Sequence, residues 1–141
     1  MDKAGQILSL ITPFVEQGKI LPRSKAQINE SIEDFVLLFD NDKLLACAGL
    51  KDCKEGSMGE IYSLAVSMDK QNQGLSTQLL EKIMLKAKAA NFSKIFSLTK
   101  YGTEWFVKNG FTQMKIADLP ANRQALFNHD RNSSIFFKNV N

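Results

Sequence analysis

The stretch that decides the fold is residues 59–80, which read GEIYSLAVSMDKQNQGLSTQLL. Its first part, from Gly59 to Val66, has the apolar content of a buried β-strand. From Ser76 to Ala90 the apolar residues recur at helical spacing and share one face: Leu79, Leu80, Ile83, Met84 and Ala87. The sequence therefore predicts a strand that passes through a polar turn into an amphipathic helix.

The turn before this helix has features of an anion-binding site. A helix start exposes unpaired main-chain N–H groups at the positive end of the helix dipole. Gly74 allows the main chain to approach a ligand closely, and Ser76 is small enough not to obstruct it. Such a site suits a phosphate or pyrophosphate. A plain strand-to-helix connection with a convenient glycine is the alternative interpretation.

The flanking segments predict further elements, and the whole order is α-α-β-β-β-α-β-α-β-turn-β. They are a helix over 4–15 that Pro13 kinks or ends early, a helix over 24–32, a short helix over 103–108, and strands over 35–39, 44–50, 94–98, 111–116 and 135–140. A strand-helix-strand crossover joins parallel strands, whereas hairpins join antiparallel ones. The sequence therefore predicts an α+β fold with a mixed sheet in one domain, residues 1–141.

Composition excludes several classes of protein. The chain has 141 residues, of which 44% are hydrophobic and 23% charged, so it is not intrinsically disordered. It has no apolar run of about 20 residues and no signal-peptide block, and we expect a cytoplasmic protein with no membrane partner. The net charge is +3 and the basic residues are dispersed, which does not favour a nucleic acid partner.

The two cysteines predict neither a disulfide nor a metal site. Cys47 and Cys53 are six positions apart, roughly 20 Å if the segment is extended, against about 6 Å between the Cα atoms of a disulfide. Cys47 lies between alanines in an apolar strand, which indicates a small core residue. The single histidine, His129, cannot form a metal cluster.

Two motifs together resemble the GNAT N-acetyltransferase superfamily. Residues 71–76, QNQGLS, are similar to its acetyl-CoA signature Gln/Arg-x-x-Gly-x-Gly/Ala, with Ser76 in place of the last small residue. Residues 105–111, WFVKNGF, are similar to the later family pattern of aromatic residues ahead of a Gly-Phe pair. The resemblance implies the GNAT fold, in which helices flank a central mixed twisted sheet and a splayed strand pair binds acetyl-CoA.

Shorter stretches spread along the chain resemble the acetyltransferase domain of bacterial N-acetylglutamate synthases. They are residues 20–24, 47–50, 59–61, 64–66, 104–106, 118–120 and 131–133. The amino acid kinase-like domain that usually lies upstream in that family is missing from this sequence, so the resemblance implies a stand-alone transferase and leaves arginine regulation open.

The implied reaction is direct acetyl transfer from acetyl-CoA to the α-amine of L-glutamate, a step of arginine biosynthesis. Glutamine, another small amine and a protein amino terminus stay open as acceptors. A non-catalytic CoA-binding regulatory subunit is a further alternative. A homodimer and association with a separate kinase-like subunit are both compatible with the sequence.

The resemblance also implies which residues bind acetyl-CoA. They are Leu64, Ala65 and Val66 in the strand and Gln71, Asn72, Gln73, Gly74, Leu75 and Ser76 in the turn, and they act through main-chain groups. An N–H group exposed where that strand bulges would polarise the thioester carbonyl. Because side chains are not used, the replacement at Ser76 is tolerated.

The acceptor needs a base and carboxylate-binding groups. Glu60 is the candidate base, acting through a water. Phe106 stands where many GNAT enzymes have a tyrosine that protonates the thiolate, so Thr99 or Tyr101 is the candidate acid, and the thiolate can also leave unassisted.

Guanidinium groups suit paired carboxylates. Arg23, Arg123 and Arg131 match substrate-binding positions of the family, so the resemblance implies a set of candidate substrate-binding residues: Arg23, Ser63, Arg123, Arg131 and Ser133.

Overall fold

The computed structural model describes residues 2–127 and 133–141. The elements are α1 (Lys3–Glu16), α2 (Lys25–Glu30), β1 (Phe35–Asp40), β2 (Lys43–Asp52), β3 (Met58–Val66), α3 (Leu75–Ala89), β4 (Lys94–Thr99), α4 (Thr103–Lys108), β5 (Thr112–Met114), α5 (Ala121–Gln124) and β6 (Ser134–Asn139). The predicted order of helices and strands is confirmed.

The strands form one mixed sheet, with hydrogen-bonded neighbours in the order β1-β2-β3-β4-β6-β5. β1 and β2 form the predicted antiparallel hairpin. β3 and β4, which α3 connects, are parallel, and β6 pairs antiparallel with both β4 and β5. The fold is therefore α+β with a six-stranded mixed sheet flanked by helices, as the sequence predicts.

The chain divides into two compact units. The first contains Met1–Leu50 and Ser63–Met84, and the second contains Lys51–Tyr62 and Leu85–Asn141. The first unit has a core built from the inner faces of α1, α2, β2 and β3: Ala4, Ile7, Ile11, Ile28, Leu44, Cys47 and Ala65. The second has a core of its own: Cys53, Phe96, Met114, Leu119 and Ile135. The assignment of 1–141 as a single domain stays a prediction.

Most element boundaries differ from the sequence-based expectation by one or two residues, and those of α1, α2 and β5 differ for a local reason. α1 continues through Pro13 to Glu16, so an early end is wrong. Proline so close to the helix end removes only one ladder bond, from its own missing N–H. α2 ends at Glu30 because the chain tightens into a 3₁₀ turn, Ile32–Asp34. β5 is shorter than expected because a similar turn, Ile116–Asp118, follows it closely.

α3 follows its predicted pattern of burial. Leu79, Ile83 and Ala87 are fully buried, whereas Leu85 is 68% exposed. No helix within residues 2–127 and 133–141 combines the length and the apolar character needed to cross a bilayer. The helix that follows the polar turn is therefore amphipathic and packs with one face.

Candidate functional site

The parallel pairing of β3 with β4 ends within β3. The described register runs from Met58 opposite Lys94 to Ile61 opposite Ser97, while β3 itself continues to Val66. At the last pair, the buried Ser97 hydroxyl donates a hydrogen bond to the Ile61 carbonyl (3.1 Å). β3 therefore extends beyond the last residue that pairs with β4, as a strand of a splayed pair must do.

Two residues further along β3, the main chain adopts a left-handed conformation. Ser63 has a φ of +50° although it is not glycine, and its relative exposure is only 9%. Such a residue inside a strand is typical of one class of β-bulge, which redirects the main chain that follows it. The predicted irregularity of this strand is therefore present, and it lies at Ser63.

The Cys47 thiol contacts the main chain at this irregularity. Cys47 is fully buried in β2, and its Sγ donates to the Ser63 carbonyl oxygen at 3.4 Å. Burial raises the pKa of the Cys47 thiol to about 12, and a hydrogen bond from the Ala65 main-chain N–H opposes that rise. The thiol therefore stays protonated near neutral pH and lies between a carbonyl and an N–H of β3.

The turn after β3 is shaped by two left-handed residues. Asn72 has a φ of +63° and Gly74 a φ of +77°. A Cβ added at Gly74 would meet no heavy atom within 4 Å, so the conformation rather than a lack of space favours glycine there. The Gln71 side-chain amide donates to the Val66 carbonyl (2.7 Å) and ties the turn back to the strand.

α3 begins directly after Gly74. The Gly74 carbonyl accepts the first helical hydrogen bond, from the Gln78 N–H at 3.2 Å. The N–H groups of Leu75, Ser76 and Thr77 precede that bond and lie at the positive end of a 15-residue helix. This cluster of main-chain donors is chemically suited to an anion such as a phosphate group.

Glu60 and Arg123 form a two-pronged ion pair. Arg123 Nε donates to Glu60 Oε1 at 2.6 Å and an Nη2 hydrogen to Oε2 at 3.2 Å. The side chains are only 21% and 14% exposed, respectively. These residues, 63 positions apart in the sequence, were predicted as base and carboxylate-binding group. The structure brings them together, which the sequence pattern does not indicate.

Neighbouring hydrogen bonds hold Arg123 in place. Asn122, the preceding residue in α5, donates its main-chain N–H to Glu55 Oε1 (3.1 Å) and its side-chain amide to the Cys53 carbonyl (2.8 Å). The charges also act on a nearby thiol. Burial first, and then the Glu60 charge, raise the pKa of Cys53 to about 11, and Arg123 opposes this rise.

Both cysteines are free and buried. The prediction that they form no disulfide is therefore confirmed. Within the described ranges, no three His, Cys, Asp or Glu side chains are grouped so that they can hold a metal ion.

The other predicted residues are placed as follows. Thr99, the last residue of β4, donates its hydroxyl hydrogen to the Tyr101 carbonyl and accepts from the Tyr101 N–H at 3.1 Å. Tyr101 is 48% exposed. Arg23 is half-buried in the loop before α2, and Ser133 is half-buried just before β6. Arg131 and His129 lie outside the described residues.

Sequence reasoning missed two side chains at the strand irregularity. Ser97 was not considered, and Cys47 was interpreted only as a core residue. No motif marks either of them, because each is identified by a hydrogen bond to a β3 carbonyl that is distant in the sequence.

The chain belongs to the GNAT acetyltransferase family. The model of that family, described as "Acetyltransferase (GNAT) family", matches residues 5–125. This match confirms the family that residues 71–76 and 105–111 indicate.

Individual relatives show which members of the family the chain resembles. An "Amino-acid acetyltransferase" of Pseudomonas fluorescens is 34% identical over 140 residues, 99% of this chain and 32% of the relative. One of Edwardsiella ictaluri is 37% identical over 131 residues, 93% and 30% respectively. N-acetylglutamate synthase from Neisseria gonorrhoeae, solved with coenzyme A and N-acetyl-glutamate, has a TM-score of 0.92 and 35% identity over 97% of this chain and 32% of that one. The chain thus spans about a third of the length of these relatives.

Proposed function

We propose that this chain is an acetyl-CoA-dependent amino acid N-acetyltransferase whose preferred acceptor is the α-amine of L-glutamate. The observation that carries the proposal is the Glu60–Arg123 ion pair, because it sets a candidate base and a carboxylate-binding group side by side. Glu60 lies on β3 only three residues before the left-handed Ser63. The Neisseria gonorrhoeae relative, solved with coenzyme A and N-acetyl-glutamate, supports this acceptor.

The main chain from Ser63 to Ser76 fits acetyl-CoA. The free N–H groups at the start of α3 suit its diphosphate, and the left-handed Gly74 keeps a Cβ away from the approach. In β3, we assign to main-chain groups of Leu64, Ala65 and Val66 the contacts with the pantetheine arm and with the thioester carbonyl. Bound acetyl-CoA supplies the activated acetyl group, and the residues described below handle the acceptor.

Arg123 can hold Glu60 and an acceptor carboxylate at the same time. A guanidinium group has five N–H donors, of which two point at Glu60. The other three suit a carboxylate of the acceptor. Arg23, Arg131, Ser63 and Ser133 are proposed to supply the remaining contacts to the two carboxylates of glutamate.

Glu60 is proposed to receive the proton that the acceptor amine loses. An amino acid α-amine is mostly protonated at neutral pH and is nucleophilic only after deprotonation. Glu60 is 14% exposed, so a water can relay the transfer.

The departing thiolate has two candidate proton donors. The Thr99 hydroxyl hydrogen is engaged by the Tyr101 carbonyl, whereas the Tyr101 side chain is half-exposed. We therefore favour Tyr101 over Thr99 as an acid, with unassisted departure of the thiolate as the alternative.

The experiment is a thiol-release assay with acetyl-CoA and a panel of amino acids and other amines. We expect the highest kcat/KM with L-glutamate and a loss of about 10²-fold or more in Arg123→Ala and Arg131→Ala, since each removes charge-assisted hydrogen bonds to a carboxylate. Lys115→Ala, an exposed cation in the same part of the chain, is the matched control and should have no effect.

Other outcomes would redirect or reject the proposal. Faster turnover of glutamine or of a polyamine than of glutamate would change the acceptor class. Acetyl-CoA binding without turnover of any amine would favour a regulatory subunit. Preferred acetylation of glutamate would be consistent with a role in arginine biosynthesis.

A further inference from the structure

Cys47 occupies an unusual position for a core residue. Among the described buried residues of its core, which are otherwise alanine, isoleucine and leucine, it carries the polar side-chain atom. That atom is directed at the main chain of β3 at Ser63 (Sγ to O, 3.4 Å) and not at another side chain. A residue that only fills the core needs a suitable volume and no hydrogen bond. The direction of the Cys47 Sγ atom toward the Ser63 carbonyl therefore needs a separate explanation.

The main chain at Ser63 needs support from its neighbours. A side chain with a Cβ is disfavoured in the left-handed conformation, which persists only where surrounding contacts hold it. A bulge also interrupts the ladder and leaves buried carbonyl and N–H groups that require other partners. Directly after β3 ends, the Ser67 main-chain N–H donates to the Leu45 carbonyl of β2 at 2.8 Å.

The Cys47 thiol contacts the main chain of β3 at Ser63 and Ala65. It donates to the Ser63 carbonyl and accepts from the Ala65 N–H, so it bridges the two residues that flank Leu64. A thiol is a weak donor and a weak acceptor, but a fully buried one has no water to compete for these bonds. Because burial raises the pKa of this thiol to about 12, the donor hydrogen is present at physiological pH.

We propose that Cys47 is a positioning residue that holds β3 in its left-handed turn at Ser63 and thereby directs the following main-chain groups at acetyl-CoA. The inference rests on the proposed function, because it takes residues 64–66 as the segment that binds the pantetheine arm and the thioester. It assigns no covalent chemistry to the thiol.

Three single variants test this role. Cys47→Ala removes the hydrogen bonds, Cys47→Ser keeps a donor and an acceptor, and Cys53→Ala truncates the other buried cysteine as a matched control. The dissociation constant for CoA is measured by calorimetry, and KM for acetyl-CoA and for the acceptor by thiol release. We expect Cys47→Ala to raise the dissociation constant for CoA and the KM for acetyl-CoA about fivefold, which corresponds to the loss of one modest hydrogen bond. In Cys47→Ala, the KM for the acceptor should stay within about twofold of the wild-type value. In Cys47→Ser and Cys53→Ala, all three constants should stay within about twofold of wild type.

A series of double variants distinguishes support of the main chain at Ser63 from filling of the core. Glycine adopts the left-handed conformation without the steric cost of a Cβ, so in a Ser63→Gly background Cys47→Ala should change the CoA constant by less than about twofold. In the matched Ser63→Ala background, which keeps the Cβ, the change should again be about fivefold.

Amide exchange measured by NMR provides a readout that needs neither ligand nor turnover. Cys47→Ala should speed exchange of the Ala65 amide about fivefold and leave α3 unchanged. If Cys47→Ala is too unstable to assay, the same exchange in Cys47→Ser is compared with wild type, and equal protection is expected.

The inference is wrong if Cys47→Ala binds CoA as wild type does, or if Cys53→Ala weakens CoA binding equally. Failure of the proposed function shows differently, because wild type itself would then bind no CoA or would bind it without turnover of any amine.

Discussion

The turn region, residues 63–76, and the Glu60–Arg123 ion pair serve one proposed reaction by opposite means. The turn region presents main-chain N–H groups, which every residue except proline possesses. The ion pair depends on two particular side chains whose charges and geometry match. The comparison teaches that a main-chain site tolerates changes of side chain, such as Ser76 at the position where the acetyl-CoA signature has glycine or alanine, whereas a side-chain site does not.

The largest expected effect is that of Glu60→Gln on the ion pair. The amide cannot accept the amine proton, so we expect kcat to fall about 10²–10⁴-fold, the usual contribution of a general base. Thiol release under saturating acetyl-CoA measures it. Glu104→Gln, at an exposed position of α4, is the control and should retain wild-type kcat. A loss of less than about tenfold in Glu60→Gln would show that this carboxylate is not the base.

The next largest effect should come from main-chain conformation in the turn region. Gly74→Ala forces a Cβ into a residue with a φ of +77°, at a cost of roughly 1–2 kcal/mol, so KM for acetyl-CoA should rise about tenfold. Gly74→Asn should be milder, because asparagine tolerates the left-handed conformation. Ser76→Ala should change KM less than about twofold. Equal effects of Ser76→Ala and Gly74→Ala would contradict main-chain binding.

Alkaline pH should weaken the fold through Cys47. The pKa of this thiol is about 12 in the folded protein and ordinarily 9.0, so above pH 9 the unfolded chain loses a proton that the folded chain keeps. Its contribution to stability is complete below pH 9 and is lost as pH rises from 9 to about 12, by at most about 1.4 kcal/mol per unit.

Urea unfolding at pH 8, 9, 10 and 11 measures this loss. Cys47→Ser does not titrate in this range and should show a shallower decline of the free energy of unfolding. A decline as steep as that of wild type would show that the thiol is not the titrating group.

The smallest expected effect concerns the Cys53 thiol beside the ion pair. Removing the positive charge in Arg123→Ala should raise the pKa of Cys53 further above about 11, and Glu60→Gln should lower it, in both cases by less than about one unit. The pH dependence of alkylation in a Cys47→Ser background reports this value. Identical profiles in the two variants would mean that the charges do not act on this thiol.

The elements of the fold could be predicted where a local pattern specifies them. The period of Leu79, Ile83 and Ala87 predicts α3, and the crossover that contains it requires β3 and β4 to be parallel. Strand ends were less predictable, because β5 ends where a 3₁₀ turn begins and no residue type there demands it.

The candidate site was predictable as a set of residues but not as an arrangement. Glu60 and Arg123 were each selected with a separate role, and no local pattern pairs residues that are 63 positions apart. The same holds for Thr99. Its hydroxyl forms hydrogen bonds with the Tyr101 main chain, and only the folded structure shows these contacts.

The amino-acid sequence alone determined the family, the order of the elements and the glycine at the start of α3, because periodicity and local conformational preference act between residues close in the chain. Only the tertiary structure decided which side chains satisfy the main chain where β3 leaves its ladder, and which charge faces Glu60. Those choices depend on burial, which removes water as a partner and leaves each polar group to the neighbour that folding brings to it.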